Sequence, residues 1–356
     1  MINRKWPLLV LLVAAGAVAA AVACSETGPD ADPRANGCIA ESCYEGGILD
    51  GTVPQNDGPG PTPDGGPTGF PNPLAGTSNA ATLVVGGFTF TEGPLWIGGR
   101  LLFSDLAPTS AIHSLNANNT TTPFRSPASG ANGNAVDPQG RLVTAETRNL
   151  RSVVRSAATM GALPTDLATS FNGLPLNSPN DVIVRADGNI YFTDPDYGAD
   201  QDAAARQPKQ AVFRIDPAGG LSRVKEYDTK PNGIALSPDG NKLYVVDNEA
   251  NVVNVWSLSG DGTPSGETKF LDVTGGDGMA VDDAGNVYVA ATAGIVVFDK
   301  AGASLGTITM PGAGSIPSNC TFGGADRKTL YITSNKNGDM AATGLYSIKL
   351  NVPGLP

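Results

Sequence analysis

An all-β fold, a six-bladed β-propeller, is what this sequence predicts, and three observations carry the expectation. Six times a polar residue opens a short strand, and about fourteen residues later a second strand ends on an acid, hydroxyl or small residue. The openers are Glu92, Asn132, Asn180, Asn232, Asp277 and Asn319, spaced by 40 to 52 residues, which is the period of a repeat architecture. Within the repeats, β-branched runs alternate with Asp-Gly, Asn-Gly and Pro-Asp-Gly turns, in a chain holding 45 glycines and 28 prolines. Finally, the last repeat is one strand short, and one spare strand precedes the first. Four-stranded repeats set around an axis make a propeller whose first strands line a central channel.

Residues 1–24 read as a targeting segment. Arg4 and Lys5 give a positive start, Trp6 to Ala23 is almost wholly apolar, and Ala21-Val22-Ala23 runs straight into Cys24. Small residues followed at once by cysteine resemble a bacterial lipobox, although Ala21 stands where leucine is usual. The expectation is an exported lipoprotein, lipidated at Cys24 and held at the cell envelope by that anchor alone. An ordinary signal peptide cut near the same place, or an uncleaved anchor, are the alternatives. Residues 25–79 are rich in Pro, Gly, Asp and Asn and bury too little apolar surface to offset ordering, so they predict a flexible tether. Within it, Cys38 and Cys43 are expected to pair in an oxidising compartment, with metal binding the weaker alternative.

The propeller occupies residues 80–356. Its first repeat offers strands at Gly93–Ile97, Arg100–Ser104, Ala111–Leu115 and Thr121–Phe124, and comparable quartets follow. The sixth supplies only Cys320–Phe322, Thr329–Thr333 and Leu345–Leu350, so the spare strand Ala81–Val85 is expected to complete it and close the ring. Loops from second to third strands overhang the openers. The longest runs from Asp194 to Gln210, and a shorter one from Asn335 to Gly344.

Composition narrows the chemistry. A net charge of -11 argues against a nucleic-acid partner. The single histidine, His113, falls on a third strand away from the channel mouth, which argues against a Ser–His–Asp triad or a multi-histidine zinc site. Cys320 is expected to be a buried, inert thiol. The openers Glu92, Asn180, Asn232 and Asp277 offer two carboxylates and two amides, a donor set suited to Ca²⁺, with Mg²⁺ or Mn²⁺ also possible. The competing reading is that Asn-Gly and Asp-Gly merely make turns, which explains one instance better than six. Asp105, Glu146, Asp194 and Asp247, which end second strands, are expected to hold neighbouring backbone amides.

Six segments carry a family resemblance: Phe90–Trp96, Leu176–Val182, Tyr191–Gly198, Lys230–Gly240, Gly276–Asp282 and Pro317–Gly324. They resemble, in order and over Ala80 to about Leu350, the SMP-30/gluconolactonase/luciferin-regenerating-enzyme family. The resemblance implies a six-bladed propeller with one divalent cation, usually Ca²⁺, on Glu92, Asn232 and Asp277, with Asn180 holding metal or substrate. It also implies hydrolysis of a small lactone or related ester; the chain is expected to be a monomer. Asp277 is then the expected general base, Asn132 and Asn180 bind substrate, and Arg148 and Tyr197 contact its distal part. One departure stands in the second repeat, where Ala145-Glu-Thr-Arg148 replaces the Cys-Glu-His-Gly stretch of bacterial gluconolactonases. A non-catalytic cell-surface propeller that binds a ligand or protein is the alternative function.

Overall fold

The computed structural model describes residues 69–107, 110–148, 151–197, 206–312 and 314–355. Cys24, Cys38, Cys43, the targeting segment and most of the tether lie outside the described residues.

Six four-stranded antiparallel sheets make up the structure, with a two-stranded hairpin at Ser170–Phe171 and Leu174–Pro175 between the second and third. Blade 1 holds β2 (Thr91–Ile97) to β5 (Thr121–Arg125), and blade 2 holds β6 (Ala131–Val136) to β9 (Thr165–Ala168). Blade 3 runs β12 (Val182–Val184), β13 (Ile190–Asp194), β14 (Gln210–Ile215) and β15 (Leu221–Tyr227). Blade 4 holds β16 (Pro231–Leu236) to β19 (Pro264–Asp272), and blade 5 holds β20 (Met279–Val281) to β23 (Ser304–Ile308). In blade 6, β24 (Ile316–Gly323), β25 (Thr329–Asn335) and β26 (Gly344–Lys349) are completed by β1 (Thr82–Gly86). The N-terminal strand therefore closes the ring as the strand count predicts, pairing Thr82 with Ser347 and Gly86 with Gly344. Closure removes the edge that β26 would otherwise present to other chains.

The core lies between blades, one cluster for each neighbouring pair. Phe192 and Phe213 of blade 3 pack on Val143 and Val153 of blade 2, while Tyr288 and Ile295 of blade 5 pack on Phe322 and Ile332 of blade 6. Second strands are covered on both faces, so β13 and β21 (Val287–Ala291) are buried at every position. β21 accordingly reads as an unbroken apolar run, while β13 ends on Thr193 and Asp194, which are buried through hydrogen bonds. Outer strands such as β15 are more open, with Ser222 and Glu226 exposed.

The expected tether boundary at residue 80 falls too late. Leu74 is buried against Ile308 and Leu350, and Asn351 N donates to Pro73 O at 3.2 Å, so the packed chain begins before Ala80. Beyond Leu350 the C-terminal residues also pack: Val352 is buried, and Gly354 bridges to Asp282 between blades 5 and 6.

Candidate metal centre and its collar

Each opener sits where its strand leaves regular pairing. In blades 1, 2, 4 and 6 the register between first and second strands shifts at Glu92/Leu95, Ala131/Asn134, Pro231/Ile234 and Pro317/Asn319. In blades 3 and 5 the first strand begins just after Asn180 and Asp277. A bulge frees a residue from the ladder and re-aims its side chain, which is what a residue facing the channel needs.

Six hydrogen bonds join the openers' neighbourhoods into a closed collar. Ser104 Oγ donates to Asn132 O at 2.9 Å, Gly133 N to Asn180 O at 2.8 Å, and Thr193 Oγ1 to Asn232 O at 2.7 Å. Gly233 N donates to Asp277 O at 3.1 Å, Gly278 N to Ser318 O at 2.7 Å, and Ser318 Oγ to Thr91 O at 2.7 Å. Glycine after the opener is thereby explained by close approach rather than by a turn. A Cβ at Gly133, Gly233 or Gly278 would lie well inside 3.0 Å of Asp181, of the Asp277 carbonyl or of the Asn319 side chain. None of these three glycines has positive φ, so the turn reading of Asn-Gly does not hold here.

The four expected ligands differ in their surroundings. Glu92, Asn180 and Asn232 are buried, at 2%, 3% and 3% exposure, while Asp277 is half-buried. Asn232 Nδ2 donates to Tyr197 Oη at 3.2 Å, which fixes the amide and leaves Oδ1 buried without a hydrogen-bond partner. Tyr197, expected from sequence at the rim, is thus tied to the hub, and Lys230 Nζ lies 5.2 Å from its ring centroid. Asn132 Nδ2 donates to Thr147 Oγ1 at 3.2 Å, and Thr147 Oγ1 donates in turn to Pro179 O at 2.9 Å. Arg148, expected to contact the distal part of the substrate, is 9% exposed and packs against Gly130. Among the described residues no three His, Cys, Asp or Glu cluster as a metal site, so an oxygen site here has to draw on amides.

Sequence reasoning missed Asp181. It follows Asn180 directly, accepts from Ile234 N at 3.1 Å and Val182 N at 3.0 Å, and takes a hydrogen bond from the Asn319 side chain. Burial pushes its carboxyl up to about 6 against these bonds. It joins the third, fourth and sixth openers, and the Pro-Asn-Asp run was its only trace in the sequence.

Second-strand acids behave largely as expected. Asp105 accepts from Phe90 N at 2.9 Å, and Asp194 accepts from Asn177 N at 2.9 Å and Ser178 N at 2.8 Å. Burial raises them to about 6 and about 7 respectively. Asp247 takes the Thr229 hydroxyl at 2.6 Å and Ala250 N at 3.1 Å. Glu146 departs from the pattern: it pairs with buried Arg125 at 2.9 Å and takes the Ser152 hydroxyl at 3.3 Å. Burial outweighs this attraction, lifting Glu146 to about 7 and lowering Arg125. His113 packs between Phe88 and Phe103, and Cys320 is buried with its thiol pushed up by desolvation, so neither has a place in the collar.

Comparison with known proteins adds the lineage. Residues 90–336 match the SMP-30/Gluconolactonase/LRE-like region. A gluconolactonase of Zymomonas mobilis is 30% identical over 290 residues, covering 73% of this chain and 80% of that protein. The solved structure of a gluconolactonase from Xanthomonas campestris superposes with a TM-score of 0.66 at 32% identity, covering 79% of this chain and 92% of that one. A calcium-binding protein, regucalcin from Agrobacterium tumefaciens, shares the fold with a TM-score of 0.64 at 20% identity, over 78% of this chain and 95% of the other.

Proposed function

Since the chain belongs to the SMP-30/gluconolactonase/LRE-like family, we propose that it is a divalent-cation-dependent hydrolase of a small lactone, with Ca²⁺ the cation. The observation that carries the metal reading is the Asn232 amide, whose nitrogen is held by Tyr197 and whose buried oxygen has no partner. An unpaired buried oxygen costs about 1–3 kcal/mol unless something replaces its water. Glu92, Asn180, Asn232 and Asp277 would hold the ion, and all are oxygen donors of the kind Ca²⁺ prefers. When bound, the cation supplies Lewis acidity toward a carbonyl oxygen and toward water.

The protein's own residues then have distinct tasks. Asp277, the least buried of the four, takes the proton of the attacking water as general base. Glu92, almost fully buried, is the permanent anchor. Asn132 and Asn180 hydrogen-bond substrate oxygens, with Thr147 orienting the Asn132 amide. Tyr197 and Arg148 border the distal part of the substrate. The apolar run that ends at Cys24 supports export with a lipid anchor there, and with it a reading of this chemistry as belonging to the cell envelope.

A panel of lactones assayed with and without chelator tests the proposal. Asp277→Asn should keep the fold while kcat/KM falls about 10²–10⁴-fold, the range of a positioned base. Full activity in that variant would remove Asp277 from the mechanism. Metal binding without turnover of any lactone would favour a non-catalytic binding propeller instead.

A further inference from the structure

Asp181 has no task in the reaction proposed above, yet its side chain reaches across the ring. Its Oδ2 accepts from Ile234 N of blade 4 at 3.1 Å, its Oδ1 accepts from Val182 N at 3.0 Å, and the Asn319 amide of blade 6 donates to the same carboxylate. In a closed ring of six, blade 6 stands across the axis from blade 3, so the Asp181–Asn319 pair spans the channel. Both ends of the pair are wedged. A Cβ at Gly133 of blade 2 would lie well inside contact distance of Asp181 Oδ1, and one at Gly278 of blade 5 would do the same to Asn319 Cγ. The Asn319 amide is fixed, because its Oδ1 accepts from Cys320 N at 2.8 Å. The Asp181 backbone is held as well: its N donates to Thr193 Oγ1 at 3.0 Å, and that hydroxyl donates on to Asn232 O at 2.7 Å.

These contacts bear on three of the four expected ligands. Asn180 immediately precedes Asp181. Asn232 is gripped from two sides, at its own carbonyl through Thr193 and two residues on at Ile234 N. Asp277 precedes Gly278, against which the Asn319 side chain packs. The three ligands stand at the heads of three separate sheets, so their spacing at the mouth is set by bonds that run between blades rather than by a shared ladder. Ca²⁺ takes its oxygens at about 2.3–2.6 Å, and affinity follows how closely the donors are held to those positions. Asparagine would not replace the carboxylate. Both Asp181 oxygens accept from backbone N–H groups, and an amide must turn its own NH₂ toward one of them.

We propose that Asp181 is a positioning residue of the cation site, setting the spacing of Asn180, Asn232 and Asp277 and acting through those ligands rather than on the substrate. The inference rests on the cation reading proposed above, but not on lactone turnover. The full chain carrying Asp181→Asn tests it, with Asp282→Asn as the matched control. Asp282 is also buried and accepts from the Asn286 and Tyr288 side chains, but it lies at the far end of its blade's first strand, outside the collar. Calcium affinity, read by calorimetry on folded protein, should fall about 10–100-fold in Asp181→Asn, the range for residues that orient metal ligands. It should keep its wild-type value in Asp282→Asn. Saturating calcium should return lactone turnover in Asp181→Asn with KM unchanged. If Asp181→Asn fails to fold, Asn319→Ala, which unties the carboxylate from blade 6 alone, should still weaken calcium. Wild-type calcium affinity in Asp181→Asn, or in Asn319→Ala where it stands in, overturns the inference. An equal loss in Asp282→Asn overturns it too, because any weakened fold would then bind calcium poorly. Wild-type protein that binds no calcium overturns the cation reading and this inference together. Calcium binding that Asp181→Asn weakens, with no lactone hydrolysed by wild type, upholds the inference and overturns the lactonase reading alone.

Discussion

Gly233→Ala puts the collar under direct strain. Gly233 stands between Asn232 and the strand that follows Asp277, and its amide donates to Asp277 O at 3.1 Å. An added methyl would meet that carbonyl oxygen and also Gly278 Cα at 2.8 Å, both backbone atoms that cannot rotate away. Overpacking of this kind costs about 1–3 kcal/mol, and at about 2–4 °C per kcal/mol the melting temperature should fall by about 2–12 °C. Gly260→Ala is the matched control, because nothing lies within 4 Å of its would-be Cβ and its φ is not positive. That variant should stay within about 0.5 kcal/mol of wild type. Differential scanning calorimetry reads stability, and calcium titration of the same samples reads the site, where Gly233→Ala should bind more weakly and Gly260→Ala should not. Equal melting temperatures and equal calcium affinity for the two variants would refute the close-approach explanation of the opener glycines.

Three further outcomes are expected. Chelator should lower the melting temperature, and calcium restored to 100 times its Kd should return about 2.7 kcal/mol, read as a calcium-dependent shift in calorimetry. Asp194 has its folded pKa raised to about 7, above the ordinary aspartate value near 4, so its contribution to stability is fully present below about pH 4 and is lost as pH rises through about 7. Thermal unfolding across that window should show stability falling with pH, with a shallower fall in Asp194→Asn. A chain that begins at Phe88 lacks β1 and exposes the β26 edge, so it should melt lower and aggregate, as static light scattering would show.

The fold was largely legible in the sequence because each blade repeats the same local instructions. Turn dipeptides, β-branched runs and the missing sixth-blade strand specify ring and closure, and β1 on β26 follows from the strand count. The openers were visible for the same reason, and their glycines, for which turns were the competing reading, owe their place to close approach between blades. What the sequence hid depends on contacts across blades. The Thr193 hydroxyl holds the Asn232 carbonyl, and Asp181 links Ile234 and Asn319, pairings between residues 39 to 138 positions apart that no local pattern encodes. The packing of Arg148 against Gly130 is likewise set by the fold and not by any local pattern.

Crystals grown in calcium decide whether the collar holds a cation, through the anomalous or difference density at the channel mouth. One ion is expected, with Asn232 Oδ1 and carboxylate oxygens of Glu92 and Asp277 about 2.3–2.6 Å away. Density showing no ion there, or an ion held only by residues outside the collar, would contradict it.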